Sequence, residues 1–233
     1  MKSVMKWLFV PVWILVQAPV LVLAQADTQH VDLKFSYDHG PLSYSYEVHT
    51  VLFECADGEP LYCSLNDSLQ KLVQSYFREF IPSHYNKTED ESDYHGAIEE
   101  LEITHEVIQN SDSVLSVTIL VHSMSGRYGS LNKYCYNLDL INSQFIELSE
   151  LFNEADMPAV ERLIENAYDS LQSGSFNEYR AYINLHGINL TQGSLLVHYS
   201  VYNGQSVYLP ITVEVPWHEL KPYLRKEMLW LTN

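Results

Sequence analysis

The chain has 233 residues and carries 13 Lys and Arg against 30 Asp and Glu, a net charge of −17. That balance excludes a nucleic-acid binder that relies on phosphate contacts. With 46% hydrophobic and 18% charged residues the chain can bury a core, so a disordered polymer is excluded as well. Three cysteines are too few for a disulfide scaffold.

The N-terminus reads as a secretory signal peptide. Lys2 and Lys6 form a basic start, Trp7 to Leu23 contain no charged side chain, and Ala24-Gln25-Ala26 is an A-x-A cleavage site followed by Asp27. Pro11, Gln17 and Pro19 argue against an uncleaved anchor. No cysteine follows the cleavage site, so a bacterial lipid anchor is not expected. Cleavage leaves residues 27–233, with 11 basic against 30 acidic groups, a net of −19. The expected location is periplasmic or secreted, with no membrane span after cleavage.

Export permits disulfides. Cys55 and Cys63 flank Ala56-Asp57-Gly58-Glu59-Pro60, which reads as a turn between two short strands that a bridge would close. Cys135 is then odd, and its alternating surroundings predict a buried structural thiol.

Two segments have helical period. Leu69, Leu72, Val73, Tyr76, Phe77 and Phe80 predict a helix over 67–81, with Asn66-Asp67-Ser68 as cap candidates. Val160, Leu163, Ile164, Ala167, Tyr168 and Leu171 predict another over 158–172, with Pro158 in its first turn and Gly174 past its end. Strands are expected at 30–37, 43–54, 99–109, 113–123, 133–140, 181–186, 194–202 and 206–215. Turns are expected at Gln109 to Asp112, at Thr191-Gln192-Gly193, and at Asn203-Gly204 as a two-residue hairpin. Across that hairpin Leu195, Val197, Tyr199 and Val201 should face the core with Val207, Leu209, Ile211 and Val213. Strands in hairpin-linked groups around two helices imply an α+β fold with mainly antiparallel sheet. The polar run 84–98 suggests a boundary between an N-terminal lobe, 27–98, and a C-terminal domain, 99–233.

Known catalytic signatures are absent: no HExxH, GxSxG, P-loop or GxGxxG, and no paired-cysteine zinc site. Neither a metal nor a cofactor is expected. Ser130-Leu131-Asn132-Lys133 matches S-x-x-K, but its surroundings read as a strand. The densest carboxylates are Glu99, Glu100, Glu102 and Glu106. Strand alternation puts Glu100, Glu102 and Glu106 on one face, either as a solvated surface or as an acid/base pair acting on polysaccharide. The 17 tyrosines, among them Tyr44, Tyr46, Tyr199, Tyr202 and Tyr208, suit strand cores before they suit ligand stacking. Asn66, Asn86 and Asn189 begin N-x-S/T sequons.

Several stretches resemble one known family. They are Ser113-Val114-Leu115-Ser116-Val117 leading to Gly126, Tyr136-Asn137-Leu138-Asp139-Leu140, and Ile146-Glu147-Leu148-Ser149-Glu150-Leu151-Phe152. Gly187-Ile188-Asn189-Leu190, Tyr199, Gly204 and Val215-Pro216-Trp217-His218-Glu219-Leu220 follow. Over about 65–222 the chain resembles the extracytoplasmic domain family of the anti-sigma factor RsiV, also found as an accessory domain in exported peptidoglycan deacetylases. It departs from the family pattern at Gly126-Arg127-Tyr128-Gly129 and at Ser200 to Gly204. The resemblance implies a non-catalytic envelope binding module for a lysozyme-like basic protein or for peptidoglycan. The candidate contacts are the departing turns, Arg127 with Tyr128 and Tyr202 with Asn203. The chain opens directly on its hydrophobic segment, which argues against direct control of a sigma factor.

Overall fold

A computed structural model describes residues 28–39, 42–55, 60–85, 100–125, 128–171, 183–202 and 208–232. The fold is α+β. A six-stranded sheet runs in sequence order through β1 (Thr28–His39), β2 (Leu42–Phe53), β3 (Glu100–Asn110), β4 (Val114–Ser125), β5 (Tyr128–Asp139) and β6 (Gln144–Phe145). Every pairing is antiparallel except β2 with β3. A second, antiparallel sheet holds β7 (Ile183–Leu190), β8 (Ser194–Tyr202) and β9 (Tyr208–Pro216).

Helix α1 (Pro60–Tyr85) covers one face of the first sheet. Leu65 and Leu69 are buried there against Val48, Leu101, Ile103, Leu115, Val117, Ile119 and Leu138. The helix starts seven residues before the expected 67, on Pro60, whose fixed φ suits a first helical position. The proposed cap Asn66 therefore lies inside the helix. Its side chain accepts from Phe53 N (2.9 Å) and donates to Phe53 O (2.8 Å), which docks α1 onto the last residue of β2. Cys55 and Cys63 are bonded. Cys63 lies in the first turn of α1, so the bridge ties strand to helix and does not close a strand hairpin.

The second sheet has its own core. Short α2 (Leu148–Leu151), α3 (Met157–Leu171), α4 (Trp217–Leu220) and the C-terminal turns pack there. Val160, Ile164 and Tyr168 of α3 are buried with Leu195, Val197, Val213 and Val215. The α3 bounds match the apolar period, and the facing pairs 195–215, 197–213, 199–211 and 201–209 are as alternation requires. That register also pairs Tyr202 with Tyr208. A two-residue Asn203-Gly204 turn would pair Tyr202 with Gln205, so the connection is longer than expected. The turn after β7 falls at Thr191–Gly193 as expected, with Thr191 N donating to Ser194 O. The turn after β3 is confined to Ser111–Ser113, with Ser111 N donating to Val114 O, because Gln109 and Asn110, expected in the turn, still pair with β4.

The core is distributed differently from the expected lobes. Residues on both sides of 84–98 share the first sheet and its core, and that boundary segment lies mostly outside the described residues. The second core draws instead on residues from Val114 to Leu231.

Candidate binding site at the seam between the sheets

The two faces of β4 and β5 differ in character. Leu115, Val117 and Ile119 pair across with Leu138, Tyr136 and Tyr134 and face α1. The alternate residues Ser116, Thr118, Asn137, Cys135 and Lys133 face the other way, onto edge strand β7. An edge strand presents unpaired N–H and C=O groups that need partners when buried. Asn137 supplies both: its Oδ1 accepts from Leu190 N (3.2 Å) and its Nδ2 donates to Ile188 O (2.9 Å).

From there one hydrogen-bond chain crosses the seam. Ser116 Oγ donates to Asn137 Oδ1 (2.7 Å) and accepts from Leu190 N (3.2 Å) and Asn189 Nδ2 (2.8 Å). Asn189 Oδ1 accepts from Thr118 Oγ1 (2.6 Å) and from His198 Nε2 (2.7 Å). With its proton on Nε2, His198 uses Nδ1 to accept from Thr212 Oγ1 (2.9 Å), and Lys133 Nζ lies 3.5 Å from the same nitrogen. Ser116, Asn137, Asn189 and His198 are all buried. Buried polar groups must be paired, and here each one is. Burial, then the charge of Lys133 and then His186, pushes His198 down to about 4.

Beside the chain, Gly187 and Cys135 touch. Gly187 has φ +153°, and a Cβ there would stand 3.0 Å from Cys135 Cβ and 3.1 Å from its Sγ. The β7 register shifts between Leu185 and Gly187, so His186 is the extra residue of a bulge. β7 thus continues to Leu190, past the expected end at 186. Cys135 is half-buried and free, and burial pushes its thiol up to about 11, which leaves no reactive thiolate at neutral pH. A hollow of about 130 Å³ opens between Cys135, Asn137, Glu147, Leu185 and Gly187.

The residues singled out by sequence fall elsewhere. Arg127 and Asn203 lie outside the described residues. Tyr128 begins β5, paired with Ser125, and Tyr202 ends β8, so the two turns belong to hairpins of different sheets. Glu100, Glu102 and Glu106 do share one face of β3, as alternation required, and all three are exposed on it. Glu99 lies outside the described residues. Glu102 pairs in register with Glu47, whose carboxylate is held below its usual range by hydrogen bonds from Lys34 and then His49. Ser130 and Lys133 of the S-x-x-K match point to opposite faces of β5. Ser130 Oγ meets Ser123 Oγ (2.7 Å), so the pair cannot act together. Tyr46 and Tyr199 are core residues, and the sequon residue Asn189 is buried in the seam. Among the described residues no cluster of three metal-ligating side chains occurs, and no helix is long and apolar enough to cross a membrane.

The seam itself was missed by sequence reasoning, although Ser116, Asn137, Gly187 and Asn189 all stand in the family-like stretches. No protein-family model and no curated protein matches the chain. Solved structures do. A DUF3298 family member from Bacteroides fragilis superposes with a TM-score of 0.63 at 14% identity, over 86% of this chain and 94% of that one. A DUF3298 family protein from Pseudomonas aeruginosa gives 0.63 at 13% identity, over 88% of this chain and 97% of that one. This chain has the DUF3298 fold.

Proposed function

We propose that the chain is an exported, non-catalytic binding module of the cell envelope, and that its partner is a cationic protein of the lysozyme type. The observation that carries this reading is the open acidic face of β2 and β3. Glu100, Glu102 and Glu106 stand exposed on β3, and Glu102 pairs in register with Glu47, which Lys34 and His49 engage. A chain of net −17 adds a long-range field that speeds encounter with a basic partner. The RsiV-like stretches support an envelope role, and the leader-like N-terminus supports export.

The contacts proposed for specificity are the two hairpin turns, Arg127 with Tyr128 and Tyr202 with Asn203. Turns held by a rigid sheet are favoured places for recognition. The competing reading, a polysaccharide-acting enzyme, would need two carboxylates flanking a substrate cleft. Its candidates Glu100, Glu102 and Glu106 occupy an exposed strand face, which favours binding over catalysis at that place.

The test is a titration of residues 27–233 against a c-type lysozyme at low and at physiological salt, with lysozyme activity followed in parallel. Saturable binding at physiological salt is expected. Binding seen only at low salt would be bulk charge attraction and would contradict the proposal. Binding to peptidoglycan in place of lysozyme would keep the envelope role and replace the partner.

A further inference from the structure

Among the described residues, the outer edge of β1 pairs with no further strand. The other sheet edges are short or protected. β6 is two residues long, β7 is engaged by Asn137, and β9 carries Pro210 and Pro216. β1 has none of these devices. It runs for 12 residues without Pro, Gly or a register shift. A long, regular edge presents free N–H and C=O groups along its length and templates another strand.

The face of β1 that continues the helix-covered face of the sheet is also unfinished. Leu33 stands opposite Val48, and Val31 opposite Thr50. Val48 and Thr50 are buried, whereas Leu33 is 53% exposed and lies outside the core under α1. The apolar row therefore reaches the sheet edge and stops in solvent. The opposite face carries charge. Lys34 is ion-paired with Glu47, and His49 Nδ1 donates to Asp32 Oδ1 (2.8 Å), each across the β1–β2 ladder. The side chains of Asp32 and Lys34 remain 73% and 69% exposed, so each has room for a second partner.

These features fit a second copy of the same strand. Antiparallel pairing of two β1 strands about a two-fold axis at Leu33 aligns residues 28–38 of both. Leu33 then meets the partner's Leu33, which joins the two apolar rows. Asp32 meets the partner's Lys34, and Lys34 the partner's Asp32, at directly opposite cross-strand positions where unlike charges are favourable. Across the four strands each charged row then reads His49, Asp32, Lys34, Glu47, alternating in sign when His49 is protonated. We propose that the protein self-associates through β1 into a two-fold dimer, in which the two six-stranded sheets form one continuous sheet. The interface uses none of the residues of the two hairpin turns, so the dimer stands or falls independently of the lysozyme reading.

Sedimentation velocity of residues 27–233, which contain every described residue, tests the proposal over a concentration series. The expected result is a concentration-dependent shift to twice the monomer mass. Asp32→Lys sets like charges opposite each other twice per dimer, and Lys34→Asp does the same with the other sign. Each variant alone should weaken association about tenfold or more. An equimolar mixture of the two variants should restore it, because in the mixed dimer both facing pairs are again of opposite charge. Each substitution removes one exposed ion pair, so circular dichroism should show both variants folded. A wild-type chain that stays monomeric throughout, a single variant that dimerises as well as the wild type, or a mixture that stays monomeric would overturn the proposal. Growth beyond the dimer would also overturn it, because pairing consumes the free edge.

Discussion

Asn66 and Asn137 each take the place of a missing strand neighbour. Each uses one amide to accept from a backbone N–H and to donate to a backbone carbonyl, at Phe53 for Asn66 and at Leu190 and Ile188 for Asn137. Replacing Asn137 by Ala strands buried groups on Ser116 and β7. The expected loss is about 2–4 kcal/mol in urea unfolding, the range for several buried polar groups left unpaired. Gly187→Ala should cost about 1–3 kcal/mol, because the residue needs φ +153° and its Cβ meets Cys135. His198 sets a pH dependence. Its folded pKa is depressed to about 4, so the unfolded chain binds the extra proton first as pH falls. Stability from this group is complete above about pH 6.5 and is lost progressively toward pH 4, by about 2–3 kcal/mol at most. Urea midpoints measured from pH 7 to pH 4 should show that slope, and His198→Gln should flatten it. None of these partners was legible in the sequence. Asn137 and Ile188 are 51 residues apart, and Thr118 and Asn189 are 71 apart, so only the fold brings them together. Asn66 was read as a cap because Asn before an apolar period is what a cap looks like.

At the scale of elements, period carries far and boundaries do not. The α3 stripe and the alternation across β8 and β9 were legible because each buries one face against a core. The start of α1 was not: Leu61 and Leu65 carry the stripe of Leu69 back to Pro60, but the stretch from Cys55 to Cys63 was read as a strand hairpin. The Asn203-Gly204 signal gave the right hairpin and the wrong register: β8 and β9 pair Tyr202 with Tyr208, which sets Leu195, Val197 and Tyr199 opposite Val215, Val213 and Ile211. The Cys55–Cys63 bridge anchors α1 to the end of β2 at a separation of 8 residues. A loop that short limits its contribution to about 2–3 kcal/mol. Cys55→Ser with Cys63→Ser should therefore lower stability by that amount and leave the second sheet's core unchanged, as read by guanidinium unfolding and by the near-ultraviolet signal of Trp217.

For the whole molecule, the fold class was legible and the division of the chain was not. Composition and hairpin grouping implied α+β with antiparallel sheets, and the structure has that architecture. The polar run 84–98 looked like a boundary, yet β2 and β3 on either side of it pair in parallel within one sheet. A parallel pair needs a long crossover, here α1 and the run after it, and sequence pattern does not distinguish such a crossover from a linker. The result is a molecule with a hydrogen-bonded polar seam inside and exposed carboxylates on β3, and the proposed binding through the two hairpins would leave that seam unchanged. Amide hydrogen exchange of residues 27–233, alone and saturated with a c-type lysozyme, tests that claim most directly. The account predicts new protection at 125–129 and 202–208, with the amides of Ser116, Asn137 and Asn189 equally slow in both states. Unchanged exchange at both hairpins, or a change confined to the seam, would contradict it.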